Sequence, residues 1–368
     1  MKIVLICALC LLLLTGCATG KATFLDIYLQ NVKTDTGEDT NQTEAHEPTP
    51  EPTRAPSPTP VPCEIIDFLS GREITKEANA RRPVAIVINN LYRALPQSGI
   101  GQADIVYEVL AEADITRLVG VYHDFDADKI GPVRSARHYF LDFALDWDAV
   151  FVHHGGSPQA YTALRDLGVD SLDGMIEEGI TFWRDAERAA KPSMYEHSSY
   201  TGVEKLLEAL ESKRFRLETE LEPPFRFFPV PTAYSAAGAA DRLTVPFSLA
   251  YTTIFEYDGE ARVYKRFNNQ GEHIDEATGE QLAFANVIVQ FVDEYIISGD
   301  TEGRREFNLV SAGTGYLFTG GRYMDIIWEK KSHQEPTRWF DGEWNKLAIN
   351  RGKTAICVLN YRKEVIIE

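Results

Sequence analysis

Between Pro83 and Pro158 the chain passes through four strand-like apolar segments and two glycine-containing turns, with charged residues set where a core ought to be. This stretch constrains the rest of the fold. PVAIVINN at 83–90 is a continuous apolar run, while Asp104–Ala111 and Ile115–His123 alternate with a period of two and are close enough to form a hairpin. With a loop of two or four residues the paired positions sum to 225, which sets Glu108 directly opposite Arg117. Both sit among apolar neighbours, Val106 and Leu110 beside Glu108, Val119 and Val121 beside Arg117. Burial alone would raise a carboxyl pKa, so a facing guanidinium is expected to keep Glu108 charged.

Ser135–Trp147 reads as a helix with an apolar face of Ala136, Phe140, Phe143, Ala144 and Trp147. Ala149–His153 follows as a strand, and Ser157-Pro158 opens another helix, serine as N-cap and proline at the first helical position. Thr201–Leu210 is a third helix, with Thr201 and Glu204 at capping-box spacing. Alternation of strands and helices predicts a layered α/β domain over 64–222. Beyond Leu221-Glu222-Pro223-Pro224 the character changes. Asp258-Gly259, Gly320-Gly321 and Asp341-Gly342 punctuate alternating runs rich in β-branched and aromatic residues, the pattern of hairpins. The fold class is therefore α+β: an N-terminal layered α/β domain followed, over 223–368, by a mostly antiparallel β domain.

The first 62 residues are of another kind. Lys2 precedes an apolar run too short for a membrane span, ending in Leu14-Thr15-Gly16-Cys17. This matches the bacterial lipobox, so residues 1–16 are expected to be a signal peptide and Cys17 the lipidated first residue of the mature chain, placed on the outer face of the cytoplasmic membrane. Residues 17–63 form an acidic Pro/Thr-rich segment that cannot bury a core. As a disordered tether it would span roughly 35–40 Å. Of five cysteines, Cys63 and Cys357 remain after processing and lipidation; they are either paired, as an extracytoplasmic setting permits, or free.

The net charge of −18 disfavours nucleic acid and anionic lipid headgroups as partners. Residues 64–222 alone carry 28 acids against 17 bases, so cations that cluster there demand a reason. Arg134 and Arg137 fall at the start of the expected helix, whose N-terminus is already positive. Their counter-charge is either a carboxylate (Glu108, Glu112 or Asp114) or a bound anion such as phosphate, sulfate or carboxylate. His153 and His154 are consecutive in a strand and point to opposite faces; each is either a general acid–base or a packed structural histidine. Gly155-Gly156-Ser157-Pro158 either offers backbone N–H groups to an anion or is a tight βα turn. Ser157 lacks the second glycine of a nucleophile elbow. Asp124, Asp126 and Asp128 resemble the opening of a calcium loop, but Lys129 and Ser135 stand where glycine and glutamate are needed. Trp328, Trp339 and Trp344 either stack on sugars or pack a core. No metal or cofactor is called for.

RPVAIVINN (82–90), PQSGIGQADIVYEVLAEADITR (96–117), KIGPVRSARHYF (129–140), VHHGGSP (152–158), LDG (172–174) and YKRFNNQGEHID (264–275) together make the chain resemble the YerB-like family of bacterial lipoproteins, over nearly all of 69–361. The resemblance implies a lipid-anchored, extracytoplasmic, two-domain protein without an established activity. Where relatives tend to show Ala-Pro-His-Asn, this chain has Ala190-Lys191-Pro192-Ser193-Met194, so no histidine role is carried over there. In layout, though not in motif, the ADIVYEV strand, the GPVRSAR segment and the glycine pair after the next strand are also similar to the LytR-CpsA-Psr phosphotransferases.

These features lead to a binding lipoprotein that holds an anionic, cell-wall or glycan ligand through Arg117, Arg134 and Arg137, with Glu108, His153, His154 and Ser157 as further candidates. An envelope enzyme acting on a phosphorylated wall precursor is the first alternative. A scaffold for other envelope proteins is the second.

Overall fold

The computed structural model describes residues 65–234 and 238–368. The signal segment and the whole tether, with Cys17 and Cys63, lie outside the described residues.

The strands of the first part are β1 (Val84–Asn89), β2 (Ile105–Leu110), β3 (Thr116–Tyr122), β4 (Val150–His153) and β5 (Ser171–Asp173). Every residue of β1 to β4 is buried, which is why these segments read as nearly unbroken Val, Ile and Leu. The second part supplies β6 (Arg242–Pro246), β7 (Thr252–Asp258), β8 (Val263–Asn268), β9 (Asn286–Val292), β10 (Ala312–Thr319), β11 (Arg322–Glu329), β12 (Arg338–Phe340) and β13 (Thr354–Asn360). Ten strands of an eleven-stranded sheet run in the order β12-β11-β10-β9-β13-β2-β3-β1-β4-β5, with Gly238–Ala239 on the edge of β11. Both parts of the chain share this sheet, joined by the parallel β2–β13 pair. A six-stranded, wholly antiparallel sheet is built around β6, β7 and β8.

The helices α1 (Phe140–Leu145), α2 (Pro158–Leu167) and α3 (Val203–Ser212) belong to the first part. Tyr107 of β2 shows how α1 docks: its ring stacks on Phe143 at 4.4 Å and its hydroxyl accepts from the Trp147 indole at 2.9 Å. The opposite face of the main sheet meets the smaller sheet, with Phe318 of β10 edge-on to Tyr264 of β8.

The α+β architecture expected from the sequence is the one found. The Asp258-Gly259 and Gly320-Gly321 hairpins form. Thr319 pairs with Arg322 across a two-residue turn in which both glycines have positive φ, 59° and 71°, the geometry that twists with the flanking strands. Three local expectations do not hold. The helix foreseen over 135–147 begins only at Phe140, because the chain before it is drawn into isolated bridges, Val133 with Ile88 and Ala136 with Gly156. The N-cap of α3 is Gly202, and the Thr201 hydroxyl donates to the Thr181 carbonyl at 3.0 Å instead of closing a capping box. The Asp341-Gly342 turn leads to one isolated bridge, Phe340 with Lys346; β12 pairs with β11, and Ala348–Ile349 joins Arg226–Phe227. Trp328 and Trp339 are core residues, each 1% exposed.

Candidate functional site

β1, β2, β4, β5, β9 and β13 all point the same way, and β3 runs against them. Their carboxyl ends therefore share one edge, where open α/β sheets present ligand sites. Nearly every residue singled out from the sequence ends at this edge. β1 and β4 pair only as far as Ile86 and Val152, and the Pro132–Arg134 segment is wedged between them beyond that point. The Asn89 N–H donates to Pro132 O at 2.9 Å, the Arg134 N–H to Val87 O at 2.9 Å, and the His154 N–H to Arg134 O at 3.0 Å. Arg134 thus lies six residues before the first helical residue, and the conflict with a helix N-terminus disappears.

Register decides what happens to Glu108 and Arg117. The hairpin closes through Ala111 N–H to Ile115 O, leaving Glu112-Ala113-Asp114 as the loop, with Ala113 at φ 48°. An odd loop moves the pairing by one residue: Val109 faces Arg117 and Glu108 faces Leu118. The expected Glu108–Arg117 pair is therefore absent, because a one-residue slip sends the two side chains to opposite faces. Glu108 instead points at the smaller sheet. It accepts from Arg266 Nη2 at 2.6 Å and Thr253 Oγ1 at 2.7 Å through one oxygen, and from Thr116 Oγ1 at 2.9 Å and Asn90 Nδ2 at 3.2 Å through the other.

Arg117 turns to the helical face and meets Arg137. Their Nη2 groups grip the two oxygens of one carboxylate, Glu112; Arg117 Nη1 also donates to Ser135 O at 3.0 Å and Arg137 Nη1 to Ala136 O at 2.7 Å. Arg134 donates to Glu196 Oε2 at 2.6 Å and to the Glu196 carbonyl at 3.2 Å. Burial, together with the charges of Arg137 and Arg134, depresses the Arg117 guanidinium to about 9 despite Glu112. Burial works to raise the Glu112 carboxyl, but Arg117 and Arg137 outweigh it and hold it below its ordinary value. The Arg137 Nε is buried and has no hydrogen-bond partner among the described residues. Three guanidinium groups thus share two carboxylates.

The histidines are held apart. Because Gly155 O can only accept, His153 Nδ1 carries the proton of their 2.8 Å bond, and its Nε2 is a buried acceptor without a partner among the described residues. His154 accepts from Arg184 through Nε2 at 2.9 Å and so donates from Nδ1 to Ser199 Oγ at 2.8 Å. Burial lowers both pKa values, and Arg184 lowers that of His154 further. The glycine turn is committed too: Asp173 accepts from the N–H of Gly155 at 2.8 Å and from that of Met175 at 2.9 Å. Gly174 stands where a Cβ would come within 2.2 Å of His154 Nδ1, which accounts physically for LDG opposite HHGG. Ser157 caps α2 by accepting from Ala160 N–H at 3.2 Å, as its position before proline predicts.

Sequence reasoning named Glu112 as one possible counter-charge but missed Glu196, 62 residues from Arg134, and Arg184; no local signal connects them. Among the described residues no group of three or more His, Cys, Asp or Glu is placed to hold a metal ion, and no helix is long and apolar enough to cross a membrane.

Residues 69–216 match the N-terminal domain, and residues 243–356 the C-terminal domain, of the family described as "Protein of unknown function (DUF3048)". A Bacillus subtilis (strain 168) protein named "Putative lipoprotein YerB" is 34% identical over 295 residues, covering 79% of this chain and 85% of its own. The chain belongs to the DUF3048, YerB-like family. The crystal structure of the YerB protein from Bacillus subtilis superposes with a TM-score of 0.73 at 31% identity, covering 83% of this chain and all of that one. The shared domains include the arginine-bearing segments described above.

Proposed function

We propose that this protein is a lipid-anchored binding protein on the outer face of the bacterial cytoplasmic membrane, which holds an anionic ligand, bearing phosphate or carboxylate and including anionic glycans of the wall, at Arg117, Arg134 and Arg137. The lipobox at Cys17 and the lipoprotein name of the B. subtilis relative support the anchor. One observation carries the ligand: Arg117 and Arg137 share the single carboxylate of Glu112, and a buried Arg137 Nε is left without a partner among the described residues. A buried charged group with an unmade hydrogen bond is costly, and an entering anion would supply that bond. Arg134, a quarter exposed and tied to the exposed Glu196, is the cation a ligand would reach first.

An envelope transferase or hydrolase finds less support. Glu108 faces away from the arginines, and each histidine already holds a partner through Nδ1.

The test is calorimetric titration of the full chain with inorganic phosphate and with phosphate-bearing wall fragments. The reading expects saturable binding that weakens about tenfold or more in Arg134→Ala, a loss on the scale of one charge-assisted contact. Binding that is absent, or equal in the variant, overturns it.

A further inference from the structure

The sheet edge that carries Arg134 continues from β4 to β5, and there the surface turns apolar. β5 runs into a single helical turn, Gly174–Glu177, whose Met175 and Ile176 are 66% and 75% exposed. Ile180, just beyond the turn, is 69% exposed, and Tyr195 is 58% exposed. Phe182 in the same segment is buried, so the chain turns one large apolar side chain inward here and three outward. An apolar residue alone on a surface needs no explanation, whereas several together inside a polar rim mark an interaction site.

The arginine site adjoins this surface on two sides. A Cβ placed on Gly155 would lie 3.4 Å from Met175 Cγ and 3.7 Å from Ser135 Oγ, so Met175 and the neighbour of Arg134 meet at one glycine. Tyr195 precedes Glu196, whose carboxylate and carbonyl both accept from Arg134. Arg184 lies over the Tyr195 ring at 4.4 Å, donates to the Tyr195 carbonyl at 3.0 Å and pairs with Glu178 at 3.0 Å. Glu178 and Glu196, each held by an arginine, form the polar rim. The net charge of −18 opposes seating this face on an anionic membrane surface. Cations beside an exposed apolar surface suit one molecule with an anionic head and an apolar chain.

We infer that the ligand is an anionic amphiphile, a phosphate or carboxylate on a hydrocarbon chain, its head held at Arg134 and Arg137 and its chain lying on Met175, Ile176, Ile180 and Tyr195. The inference rests on the arginine site proposed above and adds the chemical class of what that site holds.

The full chain is titrated calorimetrically with inorganic phosphate and with hexyl phosphate. Hexyl phosphate binds about tenfold tighter or more, the gain from burying about two of its methylenes. Ile176→Ser combined with Ile180→Ser brings hexyl phosphate to within about threefold of inorganic phosphate and leaves inorganic phosphate itself within about twofold. Both positions are exposed, so the change does not threaten folding, and leucine at both positions keeps the gain. Ile366→Ser, at another exposed isoleucine, on the smaller sheet, alters neither affinity. Hexyl phosphate no tighter than inorganic phosphate overturns the inference while the arginine site stands, as does a gain that survives the serine pair or is lost equally in Ile366→Ser. No binding of inorganic phosphate, or hexyl phosphate binding that Arg134→Ala leaves unchanged, removes the arginine site itself, and the amphiphile falls with it. Sedimentation at the same concentrations that shows a dimer dispersed by the serine pair gives the apolar surface to a second copy of the chain and overturns the inference.

Discussion

Glu108 on β2 accepts a hydrogen bond from Arg266 on β8 at 2.6 Å, and the two almost wholly buried side chains join the main sheet to the smaller one. Thr253, Thr116 and Asn90 fill the remaining acceptor positions of the carboxylate. Gln97 extends the network, donating to Asn90 Oδ1 at 3.1 Å and accepting from His273 Nε2 at 2.6 Å. These bonds run between the regions that match the two family domains, so the pair is a seam of the fold.

Removing one partner of a buried ion pair leaves the other uncompensated. Glu108→Gln is therefore expected to cost about 3–5 kcal/mol of unfolding free energy in urea titrations. Glu108→Met combined with Arg266→Met should cost less than the sum of its single changes. A Glu108→Gln chain within about 1 kcal/mol of the original would show the seam to be dispensable.

His153, His154 and His197 are all depressed below 6.5, burial being the largest cause in each. Below that pH the unfolded chain takes up protons that the folded chain refuses, so their contribution is complete above 6.5 and is lost as pH falls through the folded values. Asp104 opposes them: burial and the Asp67 charge raise it to about 6, and it adds stability as pH falls from there toward 3.8. Thermal melts of His154→Gln should show a shallower decline between pH 6.5 and 5 than the unchanged chain. Parallel curves would count against a neutral His154.

Ser157 caps α2, so Ser157→Ala should lower stability by about 1 kcal/mol. Anion binding should be unchanged in calorimetric titration, because the hydroxyl faces the helix end. Loss of binding at full stability would restore Ser157 as a ligand contact.

Among the described residues Cys357 has no disulfide partner; it is 1% exposed, and burial, reinforced by the Glu108 carboxylate, pushes its thiol well above its ordinary value. In a Cys63→Ser chain, Cys357 should resist a thiol reagent until urea unfolds the protein. Labelling in native buffer at the rate of an exposed thiol would contradict the burial.

The strands of the first part, the two glycine hairpins and the Ser157-Pro158 helix start were legible because each is written locally, as a periodicity or a cap. The 135–147 helix misled because its apolar spacing is genuine, yet residues 132–136 gain more by satisfying the splayed ends of β1 and β4 than by starting a helix early. Arg117, Arg134 and Arg137 could be picked out as cations in an acidic region. The Glu112 carboxylate that Arg117 and Arg137 share could be named only as one of three, and Glu196, the partner of Arg134, not at all.

By itself, the sequence determined the α+β class, the apolar strands, the tether composition and the lipobox, all of which depend on neighbours within a few residues. Tertiary structure alone decided the rest. An odd loop at Glu112-Ala113-Asp114 turned Glu108 to one face and Arg117 to the other, and chain folding brought Arg266 and Glu196 to partners 158 and 62 residues away. Alternation reveals that a side chain is buried; only the pairing register, set by the geometry of the turn, reveals which side of the sheet it is buried on.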